Sequence, residues 1–153
     1  MSALSFVESF KTHEFVVEIG GVESPNITKV SGLGEGDVDA IDQPDGGDNI
    51  IHKISSGIVK YSDLTLERHC DGTGDDKLFQ DWFTSMFAID GTGTGSQKRR
   101  SGSVVVKEHS QEVMRFCFEG AWIKSSKFSD LDAAQSVLMK QTIVLAIERM
   151  YRV

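Results

Sequence analysis

Four histidines and two cysteines are the side chains best suited to metal or nucleophilic chemistry in this chain, and their spacing argues against both. His13, His52, His69 and His109 stand singly, and only His69 and Cys70 are adjacent, with no second ligand pair close by. A structural zinc site takes four ligands and commonly draws them from two closely spaced pairs. Each histidine therefore reads as a packing or solvated residue. Cys117 falls in an alternating apolar stretch and reads as a small packing residue, while Cys70 has no evident task. Neither belongs to a CxxC pair, so both read as reduced thiols.

Three other stretches imitate binding motifs. Residues 91–98, GTGTGSQK, look like a phosphate loop. Such a loop follows a strand and opens a helix, whereas this one follows a helical pattern and opens a strand pattern. Asp37 with Asp39, and the 71–76 run DGTGDD, resemble fragments of calcium loops but lack the full ligand spacing and closing Glu. Turn chemistry explains both. Lys98, Arg99 and Arg100 form one basic triplet in an acidic protein, which suits a solvated edge or an intersubunit ion pair better than a nucleic-acid grip. No nucleophile–base pair or carboxylate dyad stands out, so no enzyme, metal or cofactor is expected.

Charge and length narrow the class further. With 16 basic and 23 acidic side chains the net charge is −7, which disfavours general binding to nucleic-acid backbones or anionic lipid. No apolar run approaches the roughly 20 residues of a membrane-spanning helix, and the first ten residues lack a secretory pattern. Stable membrane binding is not expected, and synthesis and folding in the cytoplasm are. At 153 residues the chain fits one domain, 1–153.

The elements are largely β. Residues 15–19, FVVEI, read as a strand ending at Gly20 and Gly21, and the segment Asn26 to Val30 reads as its return. Residues 37–41 and 50–54 read as the arms of a hairpin whose tip is the turn-rich segment Asp42 to Asn49, with Pro44, Asp45, Gly46, Gly47 and Asp48 inside it. Residues 57–69, GIVKYSDLTLERH, read as a strand. From Leu78 the apolar residues Leu78, Phe79, Trp82, Phe83, Met86 and Phe87 follow helical spacing. Asp75 and Asp76 suit its N-terminus and Asp90 with Gly91 its stop. Residues 103–107 and 113–119 read as a hairpin turning at 108–111, with Met114, Phe116 and Phe118 on one face and Arg115 and Glu119 on the other. Residues 137–148 alternate with apolar residues on both faces and read as a long strand, with a helix as the alternative because Leu, Met and Ala favour helices.

Taken in order, several of these stretches resemble one family. GIVKYSDLTLER at 57–68, followed by an Asp-rich turn and LFQDWF at 78–83, resembles the core of contractile-tail tube proteins, the phage T4-like tail tube and injection-system inner tube family. Gly46 to Asp48, Arg99 to Ser103, Glu112 to Trp122 and Ser129 to Ala133 match in the same order, so the likeness runs from about Phe15 to Glu148. Cys70 and the 124–128 stretch KSSKF depart from the family's usual wording.

The resemblance implies a mainly β fold: an antiparallel β-barrel or sandwich with one flanking α-helix, its strands pairing across subunits in a hexameric ring. Stacked rings would form the rigid inner tube of a phage tail or contractile injection system, driven through a target envelope by sheath contraction. Expected partners are other copies of the chain, a sheath protein, baseplate and terminator proteins, and transient cargo protein or DNA in the lumen. The expected contact residues for stacking or for neighbouring subunits are Asp42, Pro44, Asp45, Gly46, Gly47, Asp48 and Asn49. Leu78, Phe79, Trp82, Phe83 and Phe87 are expected to pack the helix on a sheet. Alternative readings are another tail or baseplate barrel component, or a monomeric β-sandwich binding module.

Overall fold

Period-two alternation builds most of this molecule. In the computed structural model, residues 9–24, 27–47, 49–70, 77–87, 91, 93, 95 and 99–153 are described. The strands are β1 (Phe15–Ile19), β2 (Val22–Ser24), β3 (Ile27–Ser31), β4 (Asp37–Pro44), β5 (Ile51–Lys60) and β6 (Leu64–His69). After helix α1 (Lys77–Met86) come β7 (Arg100–Glu108), β8 (Gln111–Phe128), β9 (Lys140–Ala146) and β10 (Arg149–Arg152). All strand pairs are antiparallel. One sheet runs in the order β2-β1-β7-β8-β9-β6-β3, with β10 also on β8, and β4 and β5 form a separate two-stranded ribbon.

β8 organises the main sheet. Its first half pairs with β7 and with β10, and its second half pairs with β9. Gly120, at φ +66°, lies where the pairing changes, and a left-handed residue there lets the long strand bend. Residues of both halves meet in one apolar core: Val17, Ile19, Val104 and Phe118 from one, Leu64, Leu66, Ile123, Ile143 and Leu145 from the other. Phe79, Trp82 and Met86 of α1 join the same core. Burying each such large apolar side chain contributes about 1.5–3 kcal/mol relative to leaving it in water.

The hairpin β7–β8 turns through His109 and Ser110, whose φ values are +51° and +65°. Two consecutive left-handed residues make the two-residue turn whose twist matches antiparallel strands. Along β8, Phe118 is buried and Phe116 packs partly against the core, while Arg115 contacts Glu112, Glu18 and Ser103 on the other face. Arg115 is held above its ordinary pKa chiefly by its hydrogen bond to Glu112.

Several sequence expectations change. The return of β1 is β2, and β3 pairs instead with β6 across the sheet, so proximity in sequence did not choose its partner. Residues 57–69 are not one strand. β5 ends at Lys60 and β6 begins at Leu64, because the partner changes from β4 to β9 and β3 across Tyr61, Ser62 and Asp63. The last strand begins at Lys140, not at 137. β8 stops at Phe128 and β6 at His69, so among the described residues no strand of this sheet lies beside Val137, Leu138 and Met139. Asn26, Asp75, Asp76 and Asp90, expected at element ends, lie outside the described residues.

Candidate assembly interface

β4 and β5 form a ribbon that the core does not explain. Every residue of β4 is exposed, as is all of β5 apart from a half-buried Ser56. Across the ribbon Ile41 faces Ile54 and Val38 faces Val59. The pairing is irregular between Val38 and Ala40, but the adjacent residues Ile58 and Val59 of β5 point to opposite faces, so apolar side chains stand on both faces of the ribbon. Val38, Ile41, Ile50, Ile51, Ile54, Ile58 and Val59 are each between 46 and 64% exposed. A lone two-stranded hairpin is marginal in water, and one with apolar side chains on both faces lacks a solvent face. Its composition suits burial on both sides.

The ribbon is nevertheless well built. Asp42 faces Lys53, Gln43 faces His52 and Pro44 faces Ile51. Pro44 is tolerated because a two-stranded ribbon is all edge. Lys60 Nζ donates to Asp39 Oδ2 at 2.7 Å, and this bond together with the Asp39 charge raises the Lys60 pKa. At the tip, Gly47 N donates to Asp45 Oδ1 at 3.4 Å, closing the kind of side-chain turn that aspartate favours. Asp42 and Pro44 thus belong to the strand instead of the turn expected from sequence, while Asp45, Gly46, Gly47 and Asn49 lie beyond it. Asp48 lies outside the described residues.

The base ties the ribbon to the body. Gly32 has φ +95°, and a Cβ there would lie 2.1 Å from the Asp63 carbonyl oxygen, so the two chains entering and leaving the ribbon meet at a point only glycine permits. Gly34 N approaches Met150 Sδ at 3.5 Å, Arg152 lies 3.6 Å from Glu35, and Lys124 Nζ donates to Asp63 Oδ2 at 2.9 Å.

The helix residues sit elsewhere. Phe79 and Trp82 are fully buried, Leu78 and Phe83 are half-buried, and Phe87 is exposed just past the end of α1. Phe87 bridges Phe83 and Trp122, with ring centroids 5.6 and 6.0 Å away. Of the basic triplet, Lys98 lies outside the described residues, Arg99 pairs with Glu148 within the chain, and the Arg100 guanidinium lies 4.9 Å from the Trp82 ring centroid.

One apolar feature escaped the sequence reading. The loop joining β8 to β9 exposes Leu131, Val137 and Leu138 by 68 to 85%. The turn formers Ser129, Asp130 and Asp132 were its visible signal. Among the described residues, no group of three or more His, Cys, Asp and Glu side chains is placed to hold a metal ion, and no helix is long and apolar enough to cross a membrane.

Comparison with known proteins now places this architecture. The family model for the T4-like virus tail tube protein gp19 matches residues 11–151. Among solved structures, the fold is similar to a chain of the sheath–tube complex of an extracellular contractile injection system, PVC, in its extended state: TM-score 0.78, 21% identity, 95% of this chain and 91% of that one. It is also similar to a chain from the tube-terminating cap of the anti-feeding prophage, at TM-score 0.84 and 18% identity over 99% of this chain and 95% of that one. Hcp1 from Flavobacterium johnsoniae shares the fold more distantly, at TM-score 0.55 and 14% identity, over 91% of this chain and 94% of that one. Comparison with curated proteins returned no match. The match over residues 11–151 spans nearly every element described above, and the chain belongs to the T4-like virus tail tube protein family.

Proposed function

We propose that this chain is the repeating subunit of a rigid, hollow inner tube in a phage tail or contractile injection particle. The observation that carries the reading is the β4–β5 ribbon, with apolar side chains on both faces and no core of its own. In a ring of copies each ribbon lies against its neighbours, which buries those side chains and removes exposed strand edges. A monomeric binding module would leave the same side chains in water.

Six copies per ring, following the family resemblance, stack into a conduit for cargo protein or DNA, and the whole chain, 1–153, acts as one tube domain. A sheath protein, baseplate proteins and a terminator are the expected partners. The sheath–tube complex and tube-terminating cap from which similar chains come support this set. Assembly takes place in the cytoplasm of the producing cell. The subunit's work is mechanical: strand pairing between copies stiffens the wall, and no bond is made or broken.

Hydrogen–deuterium exchange tests the reading at the ribbon itself. Amides of residues 37–60 should exchange quickly in dilute protomer and become protected in concentrated, assembled protein. Equal exchange in both samples would overturn it.

A further inference from the structure

The ribbon and the β8–β9 loop leave opposite ends of the same sheet. In the β6–β9 pairing Leu64 faces Leu145 at one end and His69 faces Lys140 at the other. The ribbon connects to the sheet at the Leu64 end, through residues 32–36 and 61–63. The β8–β9 loop connects at the His69 end, where Phe128 faces Gln141. Each end of one sheet therefore carries an exposed apolar projection, and the two are different in sequence and shape.

Such a two-ended design suits head-to-tail contact, in which one surface of a copy meets a different surface of the next and the series stays open. Resting on the tube reading above, we propose that the β8–β9 loop is the seat for the tip of the β4–β5 ribbon from a copy in the adjacent ring. The occupant is a second copy of this chain, and the contact runs along the tube axis.

The loop is preformed for that role. Ser129 N donates to the Lys140 carbonyl at 2.9 Å and Lys140 N donates to Ser129 Oγ at 3.0 Å, which closes the stem. Ala134 N donates to Asp132 Oδ1 at 2.9 Å and Gln135 N to the Asp132 carbonyl at 3.2 Å, which shapes the turn within it. Cys70 N donates to the Met139 carbonyl at 3.1 Å and fixes the loop to the end of β6. The loop surrounds a hollow of about 420 Å³ lined in part by Leu131, Val137, Leu138 and Met139. A loop so braced loses little further entropy on contact.

The ribbon end matches it in chemistry. Ile50 and Ile51 are 61 and 58% exposed beside the turn, apolar side chains for an apolar hollow. Exposed Lys127 and Lys140 flank the stem, opposite in sign to Asp45 at the ribbon tip, while Asp42 faces Lys53 of its own ribbon. Asp130 and Asp132 are also on the loop, and Asp132 is turned inward onto the Ala134 amide.

Paired cysteines test the contact. In a Cys70→Ser, Cys117→Ser background, Ile50→Cys and Leu138→Cys are introduced together and singly, and assembled tubes are oxidised and run on non-reducing gels. The double variant should give a ladder of linked chains extending past one ring, and neither single variant should. Leu138→Asp, at a surface position, should leave rings of unchanged mass and abolish long tubes. Tubes that form without the 50–138 link, or a ladder that closes within one ring, would overturn the seat while leaving the tube reading intact, as would abundant Leu138→Asp tubes. Wild-type protein that forms neither rings nor tubes would overturn both.

Discussion

Arg68 and Gln141 face each other across β6 and β9 inside the core, where Arg68 Nη1 donates to Gln141 Oε1 at 3.1 Å. Gln141 Nε2 in turn donates to Ser126 Oγ at 2.8 Å, so one amide links three adjacent strands. Both residues are at most 2% exposed. Gln141→Leu keeps the volume roughly but removes one acceptor from a buried cation. The expected cost is about 1.5–3 kcal/mol, the value of a hydrogen bond to a charged group. Urea denaturation of the dilute protomer measures it, as a lower midpoint with an unchanged slope.

Trp82 is the largest fully buried side chain, and α1 lies against β8 through it and its neighbours Phe79 and Met86. Trp82→Ala should cost about 3–5 kcal/mol through lost burial and the cavity left behind. The same substitution at Phe87, which is 40% exposed, should cost far less. Comparing the two melting curves tests whether the helix is held by its buried stripe.

Ile41 and Ile54 separate assembly from folding. The double variant Ile41→Asp, Ile54→Asp alters side chains that are about half exposed and lie outside the core, so the protomer should stay folded at a cost of about 1–2 kcal/mol, part of it the repulsion of two like charges facing each other across the ribbon. Rings and tubes should be lost, because two charges would be buried in an apolar contact. Deleting Gly46 to Asp48 should likewise leave a folded protomer and impair long tubes. Thermal melting read beside sedimentation of assembled material distinguishes the two effects.

His109 and Ser110 occupy left-handed conformations that favour Asn and Gly. Replacing the pair by Asn and Gly should stabilise the protomer by about 1–2 kcal/mol, the strain an L-residue carries in that region. A denaturant midpoint that does not rise would show that the turn is held by contacts outside the backbone.

Much of this architecture is legible in the sequence. The β7–β8 hairpin and α1 declared themselves because apolar residues at Met114, Phe116 and Phe118, or at Phe79, Trp82 and Met86, follow a local period. The ribbon was visible too, although Asp42 and Pro44 read as turn and are strand. Turn-forming residues also occur on edges, and sequence does not tell a ribbon's end from its tip.

What stayed hidden depended on partners distant in sequence. Nothing near Tyr61 announces that β5 and β6 serve different sheets, and nothing near Ile27 says that β3 belongs beside β6 rather than β1. Val137 and Leu138 alternate like strand residues and become loop because neighbouring strands end before them. Their exposure, and so the second apolar end of the molecule, follows from where β6 and β8 stop.

Electron microscopy of the purified protein at high concentration, with its mass measured in the same buffer, tests the central claim most directly. Ring-shaped particles stacking into hollow tubes are the predicted result. A uniform monomer that persists at high concentration, with residues 37–60 still exchanging freely, would contradict it.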